Sequence, residues 1–459
     1  GRVRELPDLV EEALVVAAAG VPGPVFVELP VDLLYDEELV RGWYGGKGGG
    51  GLGGWLVGRY LDRHARRLFR GADRAGREAE AAGPALPPAP LPPDPSAVRK
   101  SARKLARARR PVLLVGAQAL AGTGREDGPL TAAAVAAAVA ALGVPTYLAS
   151  GARGLLGPAS ELQARHNRRK ALKDADLVLL AGVPADFRLD YGRQIGRRAT
   201  LLAANLSQAE MKQNRKSDLA AWSHPGLFLV ELAAAATKAD RGRWAAWRET
   251  LAARDAVRDD EIARLAGEPV EVGVNPLALC REIDRAMADE AIIVADGGDF
   301  VATASYVLRP RRPLAWLDPG PFGTLGVGGG FALAAAAAHP GREVWLLWGD
   351  GSAGFSLAEI DTCVRHGLAP IAVVGNDAGW TQIAREQVEI LGDAVGTELA
   401  ATDYHRVAEG YGGAGLAVET IDDVPAVLAE AKRIAASGRP VVVNARLGKT
   451  EFRKGSISM

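Results

Sequence analysis

From Ser96 onward, short apolar runs alternate with stretches of helical periodicity, and this alternation constrains the fold more than any other feature of the chain. The runs Pro111–Gly116 (PVLLVG), Val144–Leu148, Leu177–Gly182 (LVLLAG) and Thr200–Asn205 are too short for ordinary helices and mostly apolar on successive residues. A strand that is apolar on both faces is covered on both faces, the situation of a parallel sheet flanked by helices. Helical patterns at Val98–Arg109 and Thr131–Leu142 supply such cover. A second series begins near Asn275, with strands expected at Ala291–Ala295, Val344–Trp348, Pro370–Val374 and Pro440–Ala445. The expected class is α/β, with two doubly wound, mostly parallel-sheet domains.

This reading divides the chain into residues 1–40, a Gly/Pro-rich linker at 41–95, a central α/β domain at 96–235, a helical connector at 236–272 and a C-terminal domain at 273–459. Residues 1–40 pair a helical pattern (Leu9, Ala13, Val16) with an apolar strand, Val25–Leu29, and read as the tail end of a larger domain. The linker holds a glycine run and a proline run on either side of a basic amphipathic stretch, Trp55–Glu80. Its Gly46, Gly48 and Gly51 match GxGxxG, but no strand precedes them, so a dinucleotide site does not follow. Lys+Arg and Asp+Glu balance at 55 each, which argues against a nucleic-acid binder driven by bulk charge. Two distant cysteines, Cys280 and Cys363, give neither a disulfide framework nor a zinc motif. The uncharged stretch Gly128–Ala152 is mostly alanine and reads as a buried helix followed by a strand, not as a membrane span.

The chemistry concentrates in residues 343–380. One apolar strand ends in Gly349-Asp350-Gly351-Ser352, and the next ends in Gly375-Asn376-Asp377. Parallel strands present their carboxyl ends on one edge, so Asp350 and the Asn376/Asp377 pair converge there. Their hard oxygen donors suit Mg²⁺. The glycines admit close approach of a phosphate, and the following helix offers free N–H groups. Together these features describe a diphosphate site with a bridging cation.

The pattern resembles the signature of the thiamine-diphosphate-dependent enzymes, in which GDG is followed some two dozen residues later by Asn-Asn or a relative. Leu317–Gly328 (LDPGPFGTLGVG) is similar to the segment that holds the aminopyrimidine in acetolactate synthases and 2-hydroxyacyl-CoA lyases. Gly23–Asp32 resembles the end of the family's pyrimidine-binding domain, and Gly375–Gln382 and Phe452–Ile457 extend the likeness to the animal, acetolactate-synthase-like branch of endoplasmic-reticulum 2-hydroxyacyl-CoA lyases.

The resemblance implies thiamine diphosphate and Mg²⁺ as cofactors. It implies Asp350 as a metal ligand and either Asn376 or Asp377 as the second, with a main-chain carbonyl at Ala378 or Gly379. The cofactor itself is expected at Gly323, Thr324, Leu325, Gly349, Asp350, Gly351, Ser352 and Asn376, with Leu325 as the apolar wedge that bends it. Gly297, Gly298 and Asp299 either touch the diphosphate or form a turn. The implied activity is cleavage of a 2-hydroxyacyl-CoA thioester to formyl-CoA and an aldehyde shortened by one carbon. Carboligation of the acetolactate-synthase type and a non-catalytic, cofactor-binding partner subunit are the alternatives. The family's activating glutamate is expected upstream of Gly1, so no catalytic residue is assigned within the sequence, and the chain is expected to be inactive alone. The expected partners are a small acyl-CoA substrate and further copies of the chain, not nucleic acid. The expected location is the endoplasmic-reticulum membrane, reached through an N-terminal anchor outside the sequence. In the central domain, Arg153, Asp186, Arg188 and Asn205 stand near predicted strand ends, while Arg165 and His166 are expected on the solvated surface.

Overall fold

A computed structural model describes residues 1–45, 52–82, 89–236 and 241–453. The chain forms two compact units, Gly1–Pro90 and Leu91–Met459. The second contains two all-parallel sheets. The first sheet is built from β1 (Pro111–Val115), β2 (Thr146–Leu148), β3 (Leu177–Ala181), β4 (Thr200–Asn205) and β5 (Leu219–Trp222), in the order β2-β1-β3-β4-β5. Successive residues of β1 and β3 point to opposite faces, as a period of two requires. Leu113, Val115, Leu177 and Leu179 pack with Val135, Val139 and Phe228, and Val112, Leu114, Val178 and Leu180 with Leu172, Trp247 and Leu251. The helix Ala245–Ala266 is moored to the start of β1 by the indole N–H groups of Trp244 and Trp247, which donate to the carbonyls of Ala108 and Pro111. The alanine-rich stretch is the helix Ala132–Leu142, capped by the Thr131 hydroxyl on the N–H of Ala134 and closed by Gly143 at φ 67°. Among the described residues, no helix is long and apolar enough to cross a membrane.

The second sheet comprises β6 (Ile292–Asp296), β7 (Trp316–Leu317), β8 (Val344–Gly349), β9 (Ile371–Asn376), β10 (Ala414–Val418) and β11 (Val441–Arg446), in the order β10-β11-β9-β8-β6-β7. The chain steps from β6 outward to β7 and then returns to place β8 on the other side of β6. This reversal opens a crevice beyond the carboxyl ends of β6 and β8, where ligands bind in open α/β sheets. Register puts Asp296 beside Trp348, and Gly349 beside Gly375, so all three strand ends meet at the same level. Gly375 has no room for a side chain, because a Cβ would lie 2.4 Å from the Phe300 ring.

Three expectations for the first unit need correction. Val25–Leu29 forms no strand, and Phe26 is 89% exposed. A strand needs a neighbour to satisfy its backbone, and none of the described residues of this unit forms one. The supposed linker contains the helices Leu52–Phe69 and Ala72–Ala82, and Glu37–Gly45 runs across the boundary drawn at residue 40. The amphipathic stretch between the glycine and proline runs outweighs their composition: Leu68 and Phe69 pack with Leu33 and Val40, and Arg41 bridges Glu37 to Asp62. Residues 46–51, with the GxGxxG match, and part of the proline run lie outside the described residues, as does the tail from Lys454.

Candidate active site

A cleft of about 990 Å³ lies within the second unit, between the carboxyl ends of its two sheets. Its C-terminal wall carries Gly323, Leu325, Gly349, Asp350, Gly351, Ser352 and Asp377, all marked out by the sequence. Asp350 follows the last residue of β8 and is 3% exposed. It accepts the N–H of Gly351 at 2.7 Å and that of Gly379 at 3.1 Å, tying the GDG turn to the loop after β9. The Tyr404 hydroxyl donates to the Asp350 carbonyl at 3.0 Å and fixes the turn from behind. Burial raises the Asp350 carboxyl above the usual carboxylate range, against the pull of these N–H donors.

The structure separates Asn376 from Asp377. Asn376 is 1% exposed and faces away from the cleft. Its amide donates to the Thr402 carbonyl at 2.9 Å and to Asn444 Oδ1 at 3.1 Å, and its oxygen accepts the N–H of Ala378. Asp377 lines the cleft. Burial, reinforced by the charges of Asp350 and Asp299, pushes its carboxyl up to about 6, against a hydrogen bond with Thr381. Two like charges held close in a partly dry cleft favour a proton or a cation between them. Among the described residues, no three His, Cys, Asp or Glu side chains gather as a metal cage. A cation here would draw on two carboxylates, a main-chain carbonyl and the oxygens of a bound diphosphate. That mixed donor set suits Mg²⁺.

The cradle fits a diphosphate-bearing cofactor. A Cβ on Gly351 would fall 2.4 Å from the Trp380 ring, and one on Gly297, at φ 154°, would fall 2.7 Å from the Gly349 nitrogen. Backbone, not side chain, therefore forms this floor. Gln382 turns toward it an Oε1 that is buried without a hydrogen-bond partner. Asp299 does not reach the floor as a free carboxylate, because Arg385 holds it with two bonds of 2.8 and 2.9 Å. Leu325 is half-buried on the cleft wall, not a core leucine, and Thr324 bonds only its neighbour's carbonyl, at 3.3 Å.

Sequence reasoning missed the polar side chains behind these segments. Asp296 ends β6 and is fully buried. It accepts N–H groups from Gly326 and Gly328 and the indole N–H of Trp348. The central-domain wall also differs from expectation. Arg165 and His166 are not solvated: His166 is 3% exposed, and Arg165 donates to the carbonyls of Tyr306 and Leu308, both at 3.0 Å. Burial brings the Arg165 guanidinium down to about 10. Arg153 donates to the Ser305 carbonyl and lies over the Trp316 ring. These residues lock the two sheets' domains together, because a guanidinium reaches several acceptors at once. Arg188 lines the cleft and is held by Asp186 at 2.7 Å, whereas Asn205 bonds Glu210 at 3.1 Å outside the cleft lining.

Comparison with known proteins agrees with this geometry. Residues 296–445 match the family model "Thiamine pyrophosphate enzyme, C-terminal TPP binding domain", and residues 98–232 match "Thiamine pyrophosphate enzyme, central domain". The chain is 43% identical over 467 residues to 2-hydroxyacyl-CoA lyase 2 of Danio rerio, covering 100% of this chain and 73% of that protein. It is 43% identical over 472 residues to the Homo sapiens protein of the same name, covering 100% and 72%. A probable acetolactate synthase of Mycobacterium bovis is 32% identical over 439 residues, covering 95% and 70%. In fold, the chain is similar to a thiamine diphosphate-dependent 4-hydroxybenzoylformate decarboxylase of Rhodococcus jostii, with a TM-score of 0.71 and 20% identity over 98% of this chain and 75% of that one. The parallel sheets, the crevice at their reversal and these matches together establish that the chain belongs to the thiamine-diphosphate-dependent enzyme family.

Proposed function

We propose that this enzyme cleaves the C1–C2 bond of 2-hydroxyacyl-CoA thioesters, releasing formyl-CoA and an aldehyde one carbon shorter. The observation that carries the reading is the 43% identity, across the whole chain, with proteins named 2-hydroxyacyl-CoA lyase 2. The size of the cleft supports it, since about 990 Å³ is at the upper end for small-molecule sites and leaves room beside a cofactor. When bound, thiamine diphosphate supplies an electron sink for the carbon–carbon bond that breaks. The chain's own part is placement. Asp350 and Asp377 would hold Mg²⁺ with a carbonyl of Ala378 or Gly379. The backbone of Gly349, Gly351 and Ser352 would cradle the diphosphate. The backbone of Gly323 and Leu325 would bond the aminopyrimidine, and the Leu325 side chain would press the cofactor into its bent form. Asn376 would brace Asp377 from behind without reaching the metal. The test is incubation with a 2-hydroxyacyl-CoA, thiamine diphosphate and Mg²⁺, in the presence of any longer relative the chain assembles with. Formyl-CoA and the shortened aldehyde in equal amounts are expected, and release of neither refutes the assignment.

A second reading, condensation of pyruvate to acetolactate, is favoured by the 32% identity to the mycobacterial protein. Acetolactate formed from pyruvate, with no cleavage of the thioester, would select it. Self-association is part of the proposal, motivated by the apolar side chains Phe322, Phe355 and Ile383, which are 87%, 67% and 56% exposed. A monomer by light scattering in the presence of cofactor would refute it. Dependence on a glutamate from outside this sequence, and an endoplasmic-reticulum location, rest on the family resemblance. Turnover by this chain alone and fractionation away from that membrane are the respective refuting results.

A further inference from the structure

We infer that Asp296 is a positioning residue that holds the two cofactor-binding segments in register. The inference rests on the assignment of the cleft as the thiamine diphosphate site. Asp296 is the last residue of β6, 0% exposed, at the edge of the crevice where the strand order reverses. Among the described residues it has no basic partner, and N–H groups alone satisfy its carboxylate. Oδ2 accepts from Gly328 at 2.8 Å, Gly326 at 3.1 Å and the Trp348 indole at 3.3 Å, and Oδ1 accepts from Gly326 at 3.2 Å. Gly326 and Gly328 immediately follow Leu325, so the carboxylate fixes the backbone that presents Leu325 to the cleft.

The same residue reaches the other segment through its main chain. Its carbonyl accepts the Ser352 hydroxyl at 2.6 Å, two residues beyond Asp350. The same hydroxyl lies 2.9 Å from the Gly349 carbonyl, which shares its one proton and draws the GDG turn toward β6. One buried residue thus grips the segment assigned to the aminopyrimidine with its side chain and the segment assigned to the diphosphate with its backbone. The packing around it leaves no slack. A Cβ on Gly328 would lie 2.7 Å from both the Asp296 Cβ and the Trp348 indole nitrogen, and one on Gly326 would lie 2.7 Å from Phe355. A buried carboxylate offered only N–H donors is costly unless its geometry is kept, so the loop has one low-energy path.

The division of labour makes the inference testable. Asp296→Asn preserves size and leaves the main-chain carbonyl under Ser352 untouched, but removes the charge that the N–H groups converge on and sets an amide N–H₂ against the Gly326 N–H. Binding of thiamine diphosphate and of inorganic pyrophosphate, each with Mg²⁺, is measured by calorimetry on the full chain. Pyrophosphate uses only the segment gripped by the backbone. The expected result is thiamine diphosphate affinity lowered about 10-fold or more, equivalent to about 1.4 kcal/mol, with pyrophosphate affinity unchanged within about twofold. Equal weakening of both ligands, or of neither, overturns the inference. Should the variant not fold, hydrogen exchange on the unaltered chain decides: Gly326 and Gly328 amides protected without cofactor support the clamp, and exchange at open-loop rates overturns it. A wild-type chain that bound no thiamine diphosphate would count against the cofactor site, while the exchange result would still report on Asp296.

Discussion

Replacing Asp377 with asparagine isolates what the cleft costs the protein when no cation is bound. The Asp377 carboxyl titrates near about 6 in the folded chain, against an ordinary 3.8, chiefly because of burial, with Asp350 and Asp299 adding their charges. The folded state therefore holds this proton more tightly than the unfolded state does. Stability is greatest below 3.8 and is lost as the pH rises toward 6. Each pH unit of displacement is worth about 1.4 kcal/mol, so at about pH 7.5 the ionised side chain costs the cation-free protein about 3 kcal/mol. Asparagine has no such cost. In chelator-treated protein the variant is expected to melt roughly 6–12 °C above the wild type at about pH 7.5, for a domain of this size. At about pH 4 the gap falls below about 1 kcal/mol, since the folded wild type is then almost fully protonated and the unfolded state keeps roughly 40% of the proton. Saturating Mg²⁺ and cofactor are expected to narrow the gap at neutral pH, because the cation takes the proton's place. Scanning calorimetry at both pH values checks this. Equal melting temperatures at neutral pH, or a gap that does not shrink on acidification, would refute the electrostatic account.

Three further outcomes are expected. Asp350→Ala removes a carboxylate from the assigned metal site and strands the N–H groups of Gly351 and Gly379; loss of measurable thiamine diphosphate binding by calorimetry is expected, and unchanged affinity would exclude the site. Gly351→Ala drives a methyl to within 2.4 Å of the Trp380 ring; an overpacking cost of about 1–3 kcal/mol in denaturant melts, with a quenched or shifted tryptophan emission, is expected. Arg165→Ala leaves the carbonyls of Tyr306 and Leu308 without their side-chain donor, and a loss of about 2 kcal/mol in denaturant melts is expected.

The parts of this molecule that were legible in the sequence are those governed by local pattern. β1, β3, β4 and β8 are the apolar runs themselves, found within a residue or two of their expected ends. β5 and β10 escaped notice because they are less buried and alternate poorly: Ala220 and Trp222 of β5 and Ala417 of β10 are exposed. β7 is two residues long and has no sequence signal of its own. In residues 1–90, the glycine and proline runs by composition point to a linker, whereas helix Leu52–Phe69 between them is held by packing and by the Arg41–Asp62 ion pair. At the site, GDG and Asn-Asp could be placed on one sheet edge from strand polarity alone. Which of Asn376 and Asp377 faces the cleft depends on where β9 ends, and that is fixed by pairing with β11, more than 60 residues away in the chain. Asp296 carried a faint signal, an acid immediately after the apolar run 291–295, but its partners at 326–328 and 348 are brought to it only by the fold.

The contacts of Arg153 and Arg165 with main-chain carbonyls have a consequence for how such proteins vary. A guanidinium that reads a carbonyl is indifferent to the side chain carried at that position, so Ser305 and Leu308 serve these bonds through their backbone alone, whereas the Tyr306 ring also stacks on His166. Elsewhere along the seam side chains pair from both sides, Ser150 with Asp318 and Arg309 with Asp259. Central and C-terminal domains taken from different members of the family should therefore join productively when the two arginines travel with the central half and the facing half keeps both its backbone path and the partners of Ser150, Arg153 and His166.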